Sequence, residues 1–131
     1  MRRRVAATFV ARLATAGSDG RPHIVPICFA LDDHTLYFAV DFKPKRTTNL
    51  KRLQNIAANP AVSILIDHYE DDWDRLWWVR VDGHARVVTD SAEVEGALHL
   101  LAQRYVQYRI AKPAGPVVAV SIDGMSGWPD S

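Results

Sequence analysis

Two apolar runs of strand length, residues 9–15 and 22–31, are joined by Gly17-Ser18-Asp19-Gly20, and this hairpin constrains the fold more than any other feature of the chain. Glycine reaches the positive φ that tight antiparallel connections need, and Asp-Gly between apolar runs is a strong hairpin signal. A second turn at Asp32-Asp33-His34 leads into Thr35-Leu36-Tyr37-Phe38-Ala39-Val40, whose β-branched and aromatic side chains again favour a strand. Residues 62–69, 77–88 and 117–122 read as three further strands. Two helices interrupt the series. Residues 45–58 carry Leu50, Leu53, Ile56 and Ala57 at helical spacing and stop at Asn59-Pro60, because the residue before proline is pushed out of the α region. Residues 90–105 open on Asp90 with Glu93 three positions on, a capping pattern, and place Val94, Ala97, Leu98, Leu101, Ala102 and Tyr105 on one stripe. The order βββαββαβ predicts a mainly β fold with two to three helices: a six-stranded antiparallel barrel with helices packed at its ends.

At 131 residues the chain fits one domain over 1–131 and not two cores. The 16 Lys+Arg against 15 Asp+Glu give a net charge of +1, too balanced for a protein that works by coating nucleic acid or anionic membrane. One cysteine, Cys28, excludes an internal disulfide and suits a reducing compartment. No apolar run approaches the roughly 20 residues that span a bilayer, so the expectation is a cytoplasmic protein with no nucleic-acid or membrane partner.

Four features bear on chemistry. Pro22 and Pro26 fall on the same side of a run that is apolar on both faces. Proline cannot donate to a ladder, so this strand belongs at an edge, and its second apolar face needs a ligand or a second subunit. An ordinary edge strand protected by proline is the plain alternative. Residues 41–52 hold five basic residues and one acid, with Lys45, Arg46 and Thr47 placed where a helix begins. Free N–H groups, the positive dipole end and cations suit a phosphate there; a solvated basic face is the alternative. Trp77-Trp78 opens a strand on which neighbours point to opposite faces, so one indole enters the core and the other needs a partner. The five carboxylates between Asp67 and Asp74 lack the glycine and spacing of a calcium loop and read as a solvated turn. The five histidines show no metal spacing, Cys28 has no evident base, and no Gly-x-Gly-x-x-Gly or Walker pattern occurs.

Three strings then stand in order: Thr15-Ala16-Gly17-Ser18-Asp19-Gly20-Arg21-Pro22-His23-Ile24-Val25-Pro26, Lys43-Pro44-Lys45-Arg46-Thr47-Thr48-Asn49-Leu50, and Asn59-Pro60-Ala61-Val62-Ser63. Together they resemble the pyridoxamine 5′-phosphate oxidase-like superfamily of split β-barrels, and within it the actinobacterial deazaflavin (coenzyme F420)-dependent oxidoreductases. The resemblance implies a homodimer with two equivalent cofactor sites at the subunit interface, holding coenzyme F420 or, alternatively, FMN. It implies that Lys45 and Arg46 hold the cofactor phosphate with Thr47 and Asn49 beside them. Val25, Pro26 and Ile27 match the strand whose backbone faces the ring, Ala39 and Val40 the next strand's contact, and Trp77 or Trp78 the approach from the fifth strand. Ser126-Gly127-Trp128 matches a C-terminal aromatic segment that closes the site from the partner subunit. Residues 125–131 offer none of the Arg and His residues that the oxidase proper uses for pyridoxamine phosphate, which points away from that substrate. The implied activity is hydride transfer between the cofactor and a small-molecule substrate, with Tyr69, His23 or solvent as proton source; a non-catalytic storage dimer is the other class.

Overall fold

The computed structural model describes residues 1–40 and 50–129. The described elements run α1 (Arg2–Ala7), β1 (Ala11–Ala16), β2 (Pro22–Ile27), β3 (Ala30–Asp32), β4 (Thr35–Ala39), α2 (Lys51–Ala58), β5 (Ala61–His68), a single 3₁₀ turn (Trp73–Arg75), β6 (Trp77–Val87), α3 (Ser91–Arg104), α4 (Val106–Ile110) and β7 (Val117–Trp128). All strand pairs are antiparallel and form one curled sheet in the order β2-β1-β5-β6-β7-β4-β3.

The mainly β architecture is as expected, with seven strands where six were predicted. The run 22–31 is not one strand. It breaks at Cys28-Phe29, so β2 pairs with β1 at one end of the sheet while β3 pairs with β4 at the other. That break turns a flat meander into a curled sheet whose two ends face each other. The first strand starts at Ala11 because Arg2–Ala7 form a helix, and a short α4 follows α3 after Tyr105. β7 continues past the predicted 122 to Trp128, crossing a register shift between Asp82 and Gly83 on β6. A Cβ on Gly83 would lie 2.3 Å from the Ser121 carbonyl oxygen, so only glycine lets the two backbones approach here.

Alternation along the strands sends Leu13, Ile27, Leu36, Phe38, Ile64, Ile66, Val79, Val81, Val118 and Val120 into one core, with Val5 of α1 and Ile56 of α2 covering it. α2 is also tied to the first hairpin, since the buried Asn55 amide donates to the Thr15 hydroxyl at 3.0 Å. α3 begins as predicted: the Asp90 carboxylate accepts the Glu93 N–H at 3.0 Å. The Glu93 side chain does not complete a capping box. It accepts from the Tyr37 hydroxyl at 2.7 Å and from both Arg86 terminal nitrogens at 3.1 and 2.8 Å, clamping α3 to β4 and β6. Burial and the Glu93 contact push the Tyr37 pKa up to about 12, while Arg86 and Tyr37 hold the Glu93 carboxyl below its ordinary value.

Candidate functional site

The two ends of the sheet do not meet. Between them lies a cleft of about 670 Å³, which a barrel closed by a continuous ladder would not have. Pro26, Ile27 and Cys28 form one side and Ala39 of β4 the other. β2 has a strand partner on one side only, so its outer backbone groups face the opening. Both prolines sit on this edge strand, where a missing N–H breaks no central ladder.

Arg52, in the first turn of α2, supplies the charge of the cleft. It is half-buried, has no acceptor among the described residues, and burial lowers its pKa from the ordinary arginine value. A partly desolvated guanidinium without a counter-ion is unfavourable alone and favourable opposite an anion. The remaining walls come from Phe9 and Val10, which follow α1, and from Tyr105, Gln107 and Tyr108 at the α3–α4 junction. Tyr105 is fixed there by its hydroxyl, which accepts the Phe29 N–H at 3.0 Å and donates to the Phe9 carbonyl oxygen at 2.7 Å. Burial raises its pKa.

The residues expected at the site fall into four groups. Pro26, Ile27 and Ala39 line the cleft. Val25 packs half-buried against the core, and Val40 is fully inside it with its amide on the Pro116 carbonyl oxygen at 2.9 Å, so both carry the wall from behind. Lys45, Arg46, Thr47 and Asn49 lie outside the described residues, and α2 itself begins at Lys51 behind an extended Leu50 N-cap, so the helix start expected at Lys45 is not the start of α2, whose first turn carries Lys51 and Arg52 instead. Trp77, Trp78 and Trp128 are elsewhere: they line a separate hollow of about 330 Å³ with Asp67, His68, Tyr69 and Leu76. Trp77 is the indole that packs against the core, under the Arg4 guanidinium at 5.3 Å. Trp78 is the outward one and lies beside Trp128 in the β6–β7 register.

The outer face of the sheet connects these places. Cross-strand rows run Ile24, Ala14, Ser63, Asp82 and, one step along, Pro26, Arg12, Leu65, Arg80, Ser126. Two of its ion pairs lie within the chain, Arg12 with Asp67 at 3.1 Å and Arg80 with Asp82 at 3.1 Å, and the His84 Nδ1 lies 2.6 Å from the Asp123 carboxylate. Ile24, 65% exposed, stands uncovered among them.

Residues 71–75 are exposed, as expected of a solvated turn, and the segment carries short-range contacts. Asp72 accepts the Asp74 N–H at 3.1 Å, and Glu70 meets both His68 and Arg75. Phe9, Tyr105 and Tyr108 are cleft residues that the sequence pattern did not single out as such: Phe9 stood at the start of a strand and Tyr105 on a helical core stripe. No group of His, Cys, Asp and Glu among the described residues is arranged to hold a metal ion, and no helix is long and apolar enough to cross a membrane among those residues.

Comparison with known proteins places this geometry. A FAD-binding protein from Mesorhizobium loti superposes with a TM-score of 0.71 at 24% identity, over 96% of this chain and 89% of that one. HutZ, a haem storage protein from Vibrio cholerae, gives 0.76 at 15% identity, over 95% and 89%. A haem-binding protein from Mycobacterium smegmatis gives 0.71 at 18% identity, over 95% of this chain and 55% of that one. At these identities the likeness is one of fold. No curated protein matches the sequence. The family profile of pyridoxamine 5′-phosphate oxidase matches residues 1–128. With a split sheet, an unclosed cleft at its seam and a match over nearly its whole length, the chain belongs to the pyridoxamine 5′-phosphate oxidase family.

Proposed function

We propose that this protein is a homodimeric oxidoreductase that binds coenzyme F420, with FMN as the alternative, in the cleft between β2 and β4. The observation that carries the reading is Arg52: a half-buried guanidinium with no acceptor among the described residues, at a cleft whose other described lining residues are apolar or aromatic except for Gln107. A flat ring with an anionic tail matches that donor set, the ring against β2 and Ala39 and the charge toward Arg52. Lys43, Lys45, Arg46 and Lys51 extend the basic track along the sequence, and a longer track suits the polyanionic tail of F420 better than the single phosphate of FMN. When bound, such a cofactor supplies a hydride, and the protein supplies position and a water-poor wall. His23 does not line the cleft, whereas Tyr69 shares the hollow of Trp78 and Trp128 and would approach a second subunit's cleft with them, so Tyr69 and solvent are the proton sources kept.

The outer face supports a second copy as partner. Two-fold symmetry sets each patch against an identical or neighbouring one, so a face whose charges are already neutralised within the chain meets its copy without like-charge repulsion. Such a dimer gives Trp78 and Trp128 of one subunit a cleft of the other to close.

Separate fluorescence titrations with FMN and with F420 test this. F420 is expected to bind more tightly. Arg52→Ala should weaken it roughly tenfold, and Lys45→Ala with Arg46→Ala about a hundredfold or more, the scale of lost charge-assisted contacts. Tight FMN binding with poor F420 binding overturns the cofactor assignment, and binding of neither overturns the reading.

A further inference from the structure

The wall of the cleft built by the segment after α1 and the α3–α4 junction has a different chemistry from the Arg52 side. Phe9, Tyr105 and Tyr108 stand in sequence around it, with the Phe9 and Tyr105 rings 5.9 Å apart at 67° and the Tyr105 and Tyr108 rings 5.6 Å apart at 58°. Val10 and Gln107 complete this side, and among the described residues it turns no carboxylate and no cation into the cleft. Its position is not left to Phe9 itself. Arg104 donates to the carbonyl oxygens of Ala6, at 2.6 Å, and Thr8. Its guanidinium also lies 5.2 Å from the Phe9 ring centre and 5.5 Å from that of Tyr105. One side chain thus fixes the residues leading into Phe9 and packs against the rings behind the wall.

We infer that Phe9, Tyr105 and Tyr108 form the substrate-selecting wall of the cleft, taking flat, conjugated and uncharged molecules, and that Arg104 is the positioning residue that holds it. The inference rests on the cofactor reading above, which commits Arg52 to the cofactor's anion. The other side then offers ring faces and edges to stack on, a Gln107 amide as a neutral polar contact and, among the described residues, no cation for a second anion. A charged ligand would lose its hydration there without a counter-ion.

Three probes of one size separate the claims: 2-naphthol, naphthalene-2-sulfonate and decahydro-2-naphthol, titrated calorimetrically into the cofactor-saturated protein. The aromatic alcohol is expected to bind about tenfold or more tightly than the sulfonate, which tests charge, and than the saturated alcohol, which tests flatness. Phe9→Ala should weaken 2-naphthol about five- to tenfold while leaving cofactor affinity within about twofold. Arg104→Lys, which keeps the charge but loses the planar two-carbonyl contact, should reproduce most of that loss. Equal binding of the three probes, or 2-naphthol affinity unchanged in both Phe9→Ala and Tyr108→Phe/Phe9→Ala proteins, overturns the inference. If no cofactor saturates the protein, the cofactor reading fails separately, and the same comparison of wild type with Phe9→Ala on the bare protein still decides whether the wall binds flat neutral rings.

Discussion

The cleft at the sheet seam and the tryptophan hollow are built by opposite means. The cleft depends on distant segments converging: α1, the break at Cys28-Phe29 and the end of α3 meet at Tyr105 and Arg104 through hydrogen bonds that span most of the chain. The hollow depends on register alone, since Asp67 faces Trp78 across β5–β6 and Trp78 faces Trp128 across β6–β7. One therefore fails when a helix undocks and the other when a ladder slips. Their linings also differ: the cleft has an edge backbone, the Arg52 cation and the rings of Phe9, Tyr105 and Tyr108, while the hollow has Trp77, Trp78 and Trp128. The proposed dimer would bring the two together, with the hollow of one subunit over the cleft of the other.

Leu101→Ala should break the comparison most sharply. Leu101 is fully buried under α3 beside Ala30 and Tyr105, and its loss is expected to cost about 2–5 kcal/mol in a denaturant melt. Hydrogen exchange should rise first in α3, α4 and residues 8–10 and last in β5–β6. Gly83→Ala attacks the other side. The added methyl meets the Ser121 carbonyl, so a loss of about 1–3 kcal/mol is expected, with the tryptophan emission of the hollow shifted and the cleft's probe affinity retained.

Alkaline titration gives a smaller effect with a defined sign. Tyr37 ionises near 10 when unfolded and about 12 when folded, so its contribution is complete below pH 10 and is lost as pH rises toward 12. Tyr105 acts in the same direction. Tyr37→Phe should flatten the fall in melting temperature over that window; an unchanged slope shows that the Tyr37–Glu93 clamp does not carry it. Glu93 gives the acid counterpart: its lowered pKa contributes stability above the ordinary carboxylate range that is lost as pH falls through the folded value. Smallest of all, Asp71→Asn should stay within about 0.5 kcal/mol. Asp72→Ala should cost slightly more in the same melt, because Asp72 caps the 3₁₀ turn.

How much of this was legible in the sequence follows from the range of each interaction. Asp-Gly turns, alternation and the Asp90 cap act over a few residues, and the strands, the second long helix and the edge position of the prolines followed from them. The split of residues 22–31 did not, because nothing local marks Cys28-Phe29 as a break. It is made by Tyr105, a hydroxyl 76 positions away, binding the Phe29 N–H. For the same reason Phe9 read as strand and not as cleft wall, whereas strand parity alone showed that one of Trp77 and Trp78 points outward, and the fold shows that it is Trp78.

Subunit complementation tests the shared site most directly. One variant carries Arg52→Ala with Lys45→Ala and Arg46→Ala, and the other carries Trp78→Leu with Trp128→Ala. Each is expected to bind F420 weakly alone. Mixed in equal amounts and allowed to exchange, half the dimers are mixed, and each such dimer holds one site free of every substitution, so about one quarter of all sites should recover wild-type affinity. Recovery to that level is the predicted result; no recovery in a mixture shown by native mass spectrometry to contain mixed dimers contradicts a site built from both subunits.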